Sequence, residues 1–238
     1  MYVYGDYKYT YRYCYFDGDW FDKKTYEEDF GVPLDGWSAI VVDKTKTNYG
    51  EILSSINGED LTNLVSTFSE CDSLVTAPVI PNTVIDMFYT FCYCEKLEEA
   101  PIIPNGVINM NSTFSNCTSL IKAPIIPDNV IDMGGTFYEC VSLTQVSNIP
   151  SKVEDLGIAF YHCKLLTTVP AIPSTVDVME ETFSGCLVLE NEIEINANPS
   201  EFKGCFGNTE KQIILTGAAT DETKERLSKT ASGNVTWK

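Results

Sequence analysis

The sequence predicts a repeat solenoid, mainly β with short helices, built from units with a strict period of 23 and capped at both ends. The main observation is a Phe-x-x-Cys phrase that recurs at this period, with a leucine three residues after each cysteine. The phrases begin at Phe68, Phe91, Phe114, Phe137, Phe160 and Phe183, and they end at Cys71, Cys94, Cys117, Cys140, Cys163 and Cys186. Such a fixed period is typical of stacked units, each of which needs a neighbour to bury its apolar face.

Composition limits the possible functions of the chain. It has 238 residues, a hydrophobic content of 44% and a net charge of −18. The acidity is concentrated in residues 61–200, which carry 17 acids and 4 bases. An acidic body repels phosphate backbones, so nucleic acid is not an expected partner. No apolar run of about 18 residues predicts a membrane span, and the first residues lack the pattern of a secretory signal.

The first half of each unit, Leu-x-x-Ala-Pro-x-Ile-Pro, predicts a short strand. One slot is isoleucine in every copy, which predicts that it faces the core: Ile80, Ile103, Ile126, Ile149, Ile172 and Ile195. The preceding slot changes from Val79, Ile102 and Ile125 to polar or small residues, so we expect it to face solvent. The prolines fix φ and remove a donor, and therefore belong at strand edges.

The second half, Val-x-x-Met-x-x-x-Phe-x-x-Cys, spaces its apolar residues by three and four, which predicts a short helix or 3₁₀ turn. A short polar residue stands before the Met or Leu slot in four copies: Asp86, Asn109, Asp132 and Asp155. Such side chains accept the free N–H groups of a first helical turn, so we expect them to be N-caps.

Residues 1–50 are predicted to form a tyrosine-rich β cap. Tyrosines alternate with polar residues at Tyr7, Tyr9, Tyr11, Tyr13 and Tyr15, which is the period of a strand. The following Asp-Gly pair predicts a turn before a returning strand at Trp20-Phe21, and residues 37–42 predict another strand. The aromatic strand either packs over the open end of the coil or stacks on a sugar or protein partner.

The solenoid is predicted to span residues 51–206. It begins with a degenerate repeat in which Leu61 and Leu64 fill the Val and Met slots. At the far end, Phe202 and Cys205-Phe206 predict a shortened final turn.

Residues 207–238 predict a C-terminal β-α-β cap. Its parts are a strand at 212–216, a helix over 221–231 capped by Thr220 or Asp221, and a strand at 234–237.

The six repeated cysteines share one slot, which favours a packing role. Neighbouring coils would lie about 4.8 Å apart, so disulfides between them are within geometric reach. A column of reduced thiols filling an apolar slot is the simpler account. We expect Cys117→Ser to be destabilising by roughly 1–3 kcal/mol, because a hydroxyl in that apolar slot would lack the hydrogen-bonding partner that it needs.

No catalytic set, cofactor site or metal site is predicted. His162, the single histidine, precedes Cys163, but adjacent residues on a turn point in different directions. The paired carboxylates do not offer two groups facing each other across a cleft, as a glycosidase requires: Glu98-Glu99 and Glu180-Glu181. Cys92 and Cys94 form a lone C-x-C pattern, which lacks the second cluster of ligands that a zinc site requires. A short cluster of aspartates lacks the rest of a calcium-binding loop: Asp17, Asp19 and Asp22.

Two outward columns form the candidate binding site. The first is Val79, Ile102 and Ile125, and the second is Ile85, Ile108 and Ile131. The second column becomes Glu154 and Asp177 in later copies, so both columns lose their apolar character along the chain. Exposed apolar patches often mark interaction sites, which predicts a partner, or a second copy, on the early repeats.

The string Val-x-x-Met-x-x-x-Phe-x-x-Cys-x-x-Leu resembles the BspA-like leucine-rich repeats of bacterial surface proteins, over roughly residues 51–206. The resemblance implies a right-handed coil with one parallel sheet. Known members of that family are mostly adhesion and interaction proteins, and similar arrays occur in phage structural proteins. It therefore implies a non-enzymatic module, extracellular, on the cell surface or in a virion, that binds a protein or a glycan. A structural spacer rod is the alternative.

Overall fold

The structure, a computed structural model, describes residues 14–16, 19–21, 45–50, 52, 55–56, 59–189, 192–209, 212–230 and 235–238. Its elements are β1 (Cys14–Phe16), β2 (Asp19–Phe21), β3 (Ser55–Ile56), β4 (Glu59–Asp60), β5 (Glu192–Glu194), β6 (Ile213–Thr216), α1 (Asp221–Thr230) and β7 (Val235–Trp237). The strands β1 and β2 pair antiparallel, as do β3 and β4, whereas β5, β6 and β7 form a parallel sheet in that order. The repeats lie between β4 and β5, where single bridges and turns replace extended strands.

Parallel bridges join residues that occupy the same slot in successive coils. One line of bridges passes through Asn63, Asp86, Asn109, Asp132, Asp155, Val178 and Glu201, at the spacing of the repeated phrase. Each coil therefore stacks on the next without a change of register, and the chain forms a repeat solenoid.

The second half of each coil is a series of turns. In one coil the N–H of Thr90 donates to Met87 O at 3.1 Å, while the N–H of Phe91 donates to Thr113 O of the next coil at 2.8 Å. Along the turns, successive backbone N–H groups alternate in this way between a carbonyl of the same turn and a carbonyl of the neighbouring coil. Each coil is therefore tied to the next by backbone hydrogen bonds along its turns.

Positive φ angles interrupt these turns twice in each coil. Tyr89 and Tyr93 have φ of 56° and 61°, and Glu139 has φ of 58°. A right-handed helix cannot include such residues, and α1 is the single helix among the described residues. The prediction of short helices in the repeats was therefore wrong, because consecutive β-turns produce the same spacing of three and four.

The four residues predicted as caps do accept backbone donors, but in turns. Asp86 Oδ1 accepts from the N–H of Phe88 at 3.0 Å, and Asp155 Oδ1 accepts from the N–H of Gly157 at 2.7 Å. Asn109 and Asp132 make the same bond two residues ahead. These are Asx turns, in which the side chain substitutes for a backbone acceptor.

A column of phenylalanine rings forms the centre of the core. Neighbouring ring centroids lie 5.4 to 5.8 Å apart, with interplanar angles of 4° to 11°. The column contains Phe68, Phe91, Phe114, Phe137, Phe160, Phe183 and Phe206, all fully buried. The leucine and isoleucine slots are buried as well, which confirms the predicted inward face.

The cysteine column is reduced, and its thiols are hydrogen-bonded. All eight cysteines in the described side chains are free and buried. Cys117 Sγ donates to Phe91 O at 3.2 Å, and Cys140 Sγ donates to Phe114 O at 3.0 Å. The expectation that the Cys117 slot offers no hydrogen-bonding partner was therefore wrong, because the Phe91 carbonyl of the preceding coil lies within reach of the side chain there.

The last coil has full length. Phe206 stacks on Phe183 at 5.4 Å, and Phe202 lies buried one full repeat after Met179, in the methionine slot. Thr209 takes the place of the cysteine and donates to Phe206 O at 3.1 Å. The predicted shortening was wrong because Cys205 falls outside the repeated cysteine slot.

The elements predicted after the last coil are present as β6, α1 and β7. The N–H of Thr223 donates to Thr220 Oγ1 at 3.3 Å, which confirms Thr220 as an N-cap of α1. Leu227 on the helix is fully buried, and Trp237 Nε1 donates to Lys224 O at 3.1 Å. Leu227 and the buried strand residues Ile213 and Leu215 belong to the same hydrophobic core as the coils.

Near the start of the chain, the antiparallel pair of β1 and β2 agrees with the predicted strand and returning strand, while the predicted turn lies outside the described residues. Tyr15 pairs with Trp20 in its register. Tyr7, Tyr9, Tyr11, Tyr13 and residues 37–42 lie outside the described residues. Leu61 and Leu64 are buried in the predicted slots of the first repeat.

Candidate functional site

The first outward column is exposed on three successive coils. Val79, Ile102 and Ile125 are 61%, 91% and 68% exposed. Such values are unusual for β-branched residues that lie beside buried neighbours in the same segment. The column continues as Asn148, Ala171 and Glu194, of which the last two are also exposed.

The second outward column is also exposed to solvent. Ile85, Ile108 and Ile131 are each about two-fifths exposed. Their backbones are joined from coil to coil, since the N–H of Ile108 donates to Ile85 O at 2.9 Å and the N–H of Ile131 donates to Ile108 O at 2.9 Å. The six residues of the two columns are called the apolar stripe below. Glu154 and Asp177 extend the second column as exposed carboxylates.

A groove of about 690 Å³ opens at the early end of the stripe. Two proline-flanked segments line it, 77–82 and 101–105, together with Ile52. Val79 and Ile102 are its exposed apolar residues, and Ile80 and Ile103 form its buried base. The groove is therefore largely apolar and lies between two consecutive coils.

Backbone pairing at the isoleucine slot differs among the coils. Ile172 is paired in the manner of a parallel ladder: its N–H donates to Glu194 O at 2.7 Å, and its carbonyl accepts from the N–H of Asn196 at 3.0 Å. Asn196 occupies the slot that is proline in the other coils: Pro81, Pro104, Pro127, Pro150 and Pro173. A proline has no N–H, so those coils cannot donate to the isoleucine carbonyl of the coil before.

The backbone groups of Ile126 form their hydrogen bonds with a side chain instead. Its N–H donates to Asn148 Oδ1 at 3.0 Å, and its carbonyl accepts from Asn148 Nδ2 at 2.7 Å. In the described part of the chain, neither the N–H nor the carbonyl of Ile80 or Ile103 has a hydrogen-bonding partner. The groove therefore presents the main-chain donor and acceptor of Ile80 among apolar side chains, whereas the same groups of Ile103 face the following coil, as those of Ile126 and Ile172 do.

Sequence reasoning missed a polar and aromatic cluster on the turn face. The rings of Tyr138 and Tyr161 stack at 5.0 Å, and those of Tyr161 and His162 stack at 4.1 Å. His162 Nδ1 lies 3.0 Å from Glu139 Oε1 of the preceding coil, and the imidazole packs against Gly185 of the next. The only sequence signal is that these residues recur one repeat apart, at the slots that follow phenylalanine and precede cysteine.

The same contacts separate His162 from the neighbouring thiol. Cys163 Sγ points inward and donates to Phe137 O at 3.1 Å. Burial raises the pKa of Cys163 well above its ordinary value. A protonated, buried thiol is a poor nucleophile, so the His-Cys dipeptide does not form a catalytic pair.

Cys92 is also a buried thiol. Burial raises the pKa of Cys92 to about 11, which keeps it protonated near neutral pH. The described residues contain no group of three or more His, Cys, Asp or Glu side chains that could hold a metal ion.

A second groove, of about 500 Å³, lies between the last coil and α1. The Arg226 guanidinium lies 4.3 Å from the centroid of the Phe202 ring, and Lys203 and Lys229 are the other cations of its lining. Glu180 and Glu201 line the same groove, so its charge is mixed. Among the described residues, no helix has the length and apolar character to cross a membrane.

Two solved structures of leucine-rich repeat proteins are similar to this chain, and the first of them agrees with this architecture. A leucine-rich repeat protein of T. pallidum, TpLRR, has a solved structure that matches with a TM-score of 0.59 and 23% sequence identity, over 82% of this chain and 89% of that one. A leucine-rich repeat protein from Bacteroides ovatus matches with a TM-score of 0.32 and 19% identity, over 78% of this chain and 68% of that one. No curated protein is significantly similar in sequence.

The sequence itself matches a known repeat family. The match is to the BspA type leucine-rich repeat region, in six copies over residues 65–190, which is more than half of the chain. Repeats of this type generally mediate protein binding. The chain belongs to the BspA-type leucine-rich repeat family.

Proposed function

We propose that this chain is a non-enzymatic module that binds a protein partner through the apolar stripe on its early coils. One observation carries the proposal: β-branched residues stand exposed on consecutive coils beside a groove of about 690 Å³, and polar or small residues replace them further along. A rod whose only task is to hold its ends apart has no need of this asymmetry.

The stripe favours a protein over a glycan. Sugars are commonly bound by exposed aromatic rings with polar groups around them, whereas the stripe consists of aliphatic side chains. Burying such surface contributes about 25 cal/mol per Å² before the entropic costs of association. The acidic body would also disfavour anionic glycans, since like charges repel.

We further propose that the module works in adhesion on a bacterial surface, or as part of a phage-associated protein. BspA-type repeats are typically surface-associated, which supports the first setting. The partner is then a host protein or a second copy of this chain. The tyrosines at Tyr7, Tyr9, Tyr11 and Tyr13 remain a second candidate surface.

The test is the double substitution Ile102→Asp and Ile125→Asp. Both side chains point away from the core, so we expect loss of binding with little change in melting temperature. Ala171→Asp is the matched control, since it places the same charge in the same exposed slot two coils after Ile125. Sedimentation measures self-association, and capture of labelled host surface proteins, compared between variants, measures binding to a host.

The outcomes separate the alternatives. Unchanged capture and unchanged self-association in the double variant would remove the stripe as the site. A lowered melting temperature would show that these residues support the coil. If neither protein nor glycan binds the wild type, the spacer alternative is favoured, and the continuous stack from Phe68 to Phe206 is the feature that would give such a rod its stiffness.

A further inference from the structure

We propose that the unpaired main-chain groups of Ile80, in the groove between segments 77–82 and 101–105, and those of Ile103, which face the next coil, each recognise the carboxamide of an Asn or Gln side chain, presented by the partner protein within an apolar segment. The inference rests on the proposed function and specifies the chemistry of the partner at that site.

The unpaired backbone is the first part of the argument. Where asparagine occupies the slot, as at Asn196, its N–H pairs with Ile172 O of the preceding coil. Pro104 and Pro127 stand in that slot opposite Ile80 and Ile103, and neither can donate. Both isoleucines are nearly buried, and a buried polar group without a partner costs free energy. Each of these positions therefore favours a ligand that supplies one donor and one acceptor.

The chain itself shows which ligand group fits. Asn148 is 22 residues after Ile126, and its carboxamide accepts from the Ile126 N–H at 3.0 Å and donates to the Ile126 carbonyl at 2.7 Å. A primary amide holds an acceptor and a donor in one plane, so one group satisfies both sides. The residues at the same offset from Ile80 and Ile103 are Ile102 and Ile125, which have no polar atoms in their side chains. A partner must therefore bring the amide.

Ile80 and Ile103 differ from Ile149, another isoleucine without a backbone partner among the described residues, in having apolar surroundings. In the described part of the chain, Ile149 is also unpaired, but the residue at the same offset is Ala171, and the stripe has ended there. At Ile80 and Ile103, exposed isoleucine and valine side chains flank the unpaired groups. An amide that is bound there is shielded from water, which strengthens its hydrogen bonds.

The first experiment uses two tripeptides with acetyl and N-methylamide ends, so that neither cap is a primary amide. One is Val-Asn-Ile and the other Val-Leu-Ile, in which leucine replaces asparagine with nearly the same shape. NMR titration of the isotopically labelled protein follows the backbone amides of Ile80 and Ile103. We expect the asparagine peptide to bind about tenfold more tightly and to shift these amides, as two added hydrogen bonds allow.

The second experiment introduces the carboxamide into the chain itself by a substitution. Ile125→Asn places a carboxamide at the same offset from Ile103 that Asn148 has from Ile126. We expect the Ile103 amide to become protected from hydrogen exchange and the asparagine peptide to lose its shift at Ile103. Ile125→Leu is the control and should keep both wild-type properties. Conversely, Asn148→Leu should remove the exchange protection of Ile126.

Each outcome decides one of the two proposals. Equal affinity for the two peptides, with both in contact with Val79 and Ile102, would overturn the carboxamide inference and leave the apolar stripe as the site. Binding of neither peptide up to its solubility limit would overturn both. If Ile103 stays unprotected in Ile125→Asn while Ile126 is protected in the wild type, the two positions are not equivalent and the inference fails.

Discussion

Raising the pH should unfold this protein through its cysteine column. Burial is the main cause that raises the pKa of seven thiols in the folded chain: Cys92, Cys94, Cys117, Cys140, Cys163, Cys186 and Cys205. The pKa of Cys186 reaches about 12, against an ordinary value of 9.0. The folded state therefore keeps its thiol protons at a pH where the unfolded chain releases them.

The sign of the effect follows from that difference. These groups bind protons more tightly when folded, so their contribution to stability is fully present below about pH 9 and is lost as the pH rises above it. Each pH unit above 9 weakens folding by about 1.4 kcal/mol per thiol. Seven thiols together remove roughly 10 kcal/mol near pH 10. That is comparable to the whole stability of a typical domain, about 5–15 kcal/mol.

The assay counts protons directly. Urea unfolding at pH 9, where the protein is still folded, under reducing and oxygen-free conditions, should release about three to four protons from these seven thiols, since each is about half ionised in the unfolded chain. The ultraviolet absorbance of the thiolates should rise by the same stoichiometry. This count does not require the repeat array to unfold in a single step.

A variant with alanine at three positions of the cysteine column distinguishes protons released by the thiols from those released by tyrosines and lysines, which also titrate at this pH. Cys117, Cys140 and Cys163 lie on consecutive coils and share the same bond to a phenylalanine carbonyl. We expect the variant to release about one to two fewer protons at pH 9 and to show a shallower loss of stability with pH. Equal release by both proteins would refute the argument, because it would mean that the folded thiols are already ionised or are not free.

Two further predictions concern single slots in the coil. Ala159 fills a buried slot that is threonine in neighbouring coils, where Thr136 Oγ1 lies 2.9 Å from Met110 O and 2.8 Å from Met133 O. Ala159→Thr should stabilise by about 1 kcal/mol in urea titrations, whereas Thr136→Ala should destabilise at least as much, and a loss in Ala159→Thr would show that the slot is too small. Ile158 is β-branched with a φ of 49°, so Ile158→Asn should raise the melting temperature by relieving about 1 kcal/mol of strain. Ile131→Asn, equally exposed but without a positive φ, is its control and should give no gain.

The core could be predicted from the sequence because identical residues recur in it. The isoleucine, phenylalanine and cysteine slots keep their identity while their neighbours vary, and only burial imposes such a constraint at every copy. The same logic identified Val79 and Ile102 as outward residues, and their exposure agrees with it. Whether they bind a partner stays a prediction.

The turns could not be predicted in the same way. Glu139 and Ile158 adopt positive φ, a conformation that their side chains disfavour. Neither residue type predicts that conformation from the sequence. Gly135, Gly185 and Gly204 occupy equivalent slots in other coils, and they are too scattered to form a repeated glycine signal. Inter-coil hydrogen bonds impose this backbone, so tertiary structure overrides local preference, and the apolar spacing alone could not distinguish turns from a helix.

Asn148 shows most clearly what the sequence could not reveal. In the sequence, this residue of the outward column differs from its counterparts only as a polar replacement for isoleucine. Its role follows from Pro150, which cannot donate to the Ile126 carbonyl, so that the Asn148 carboxamide bonds there instead. The proline slot therefore has two consequences at once. It prevents the coils from pairing fully along this segment, and it leaves main-chain groups among the same exposed aliphatic residues that form the stripe. A coil without that proline, such as the one containing Asn196, closes the ladder with its own backbone and carries a glutamate where the stripe would continue.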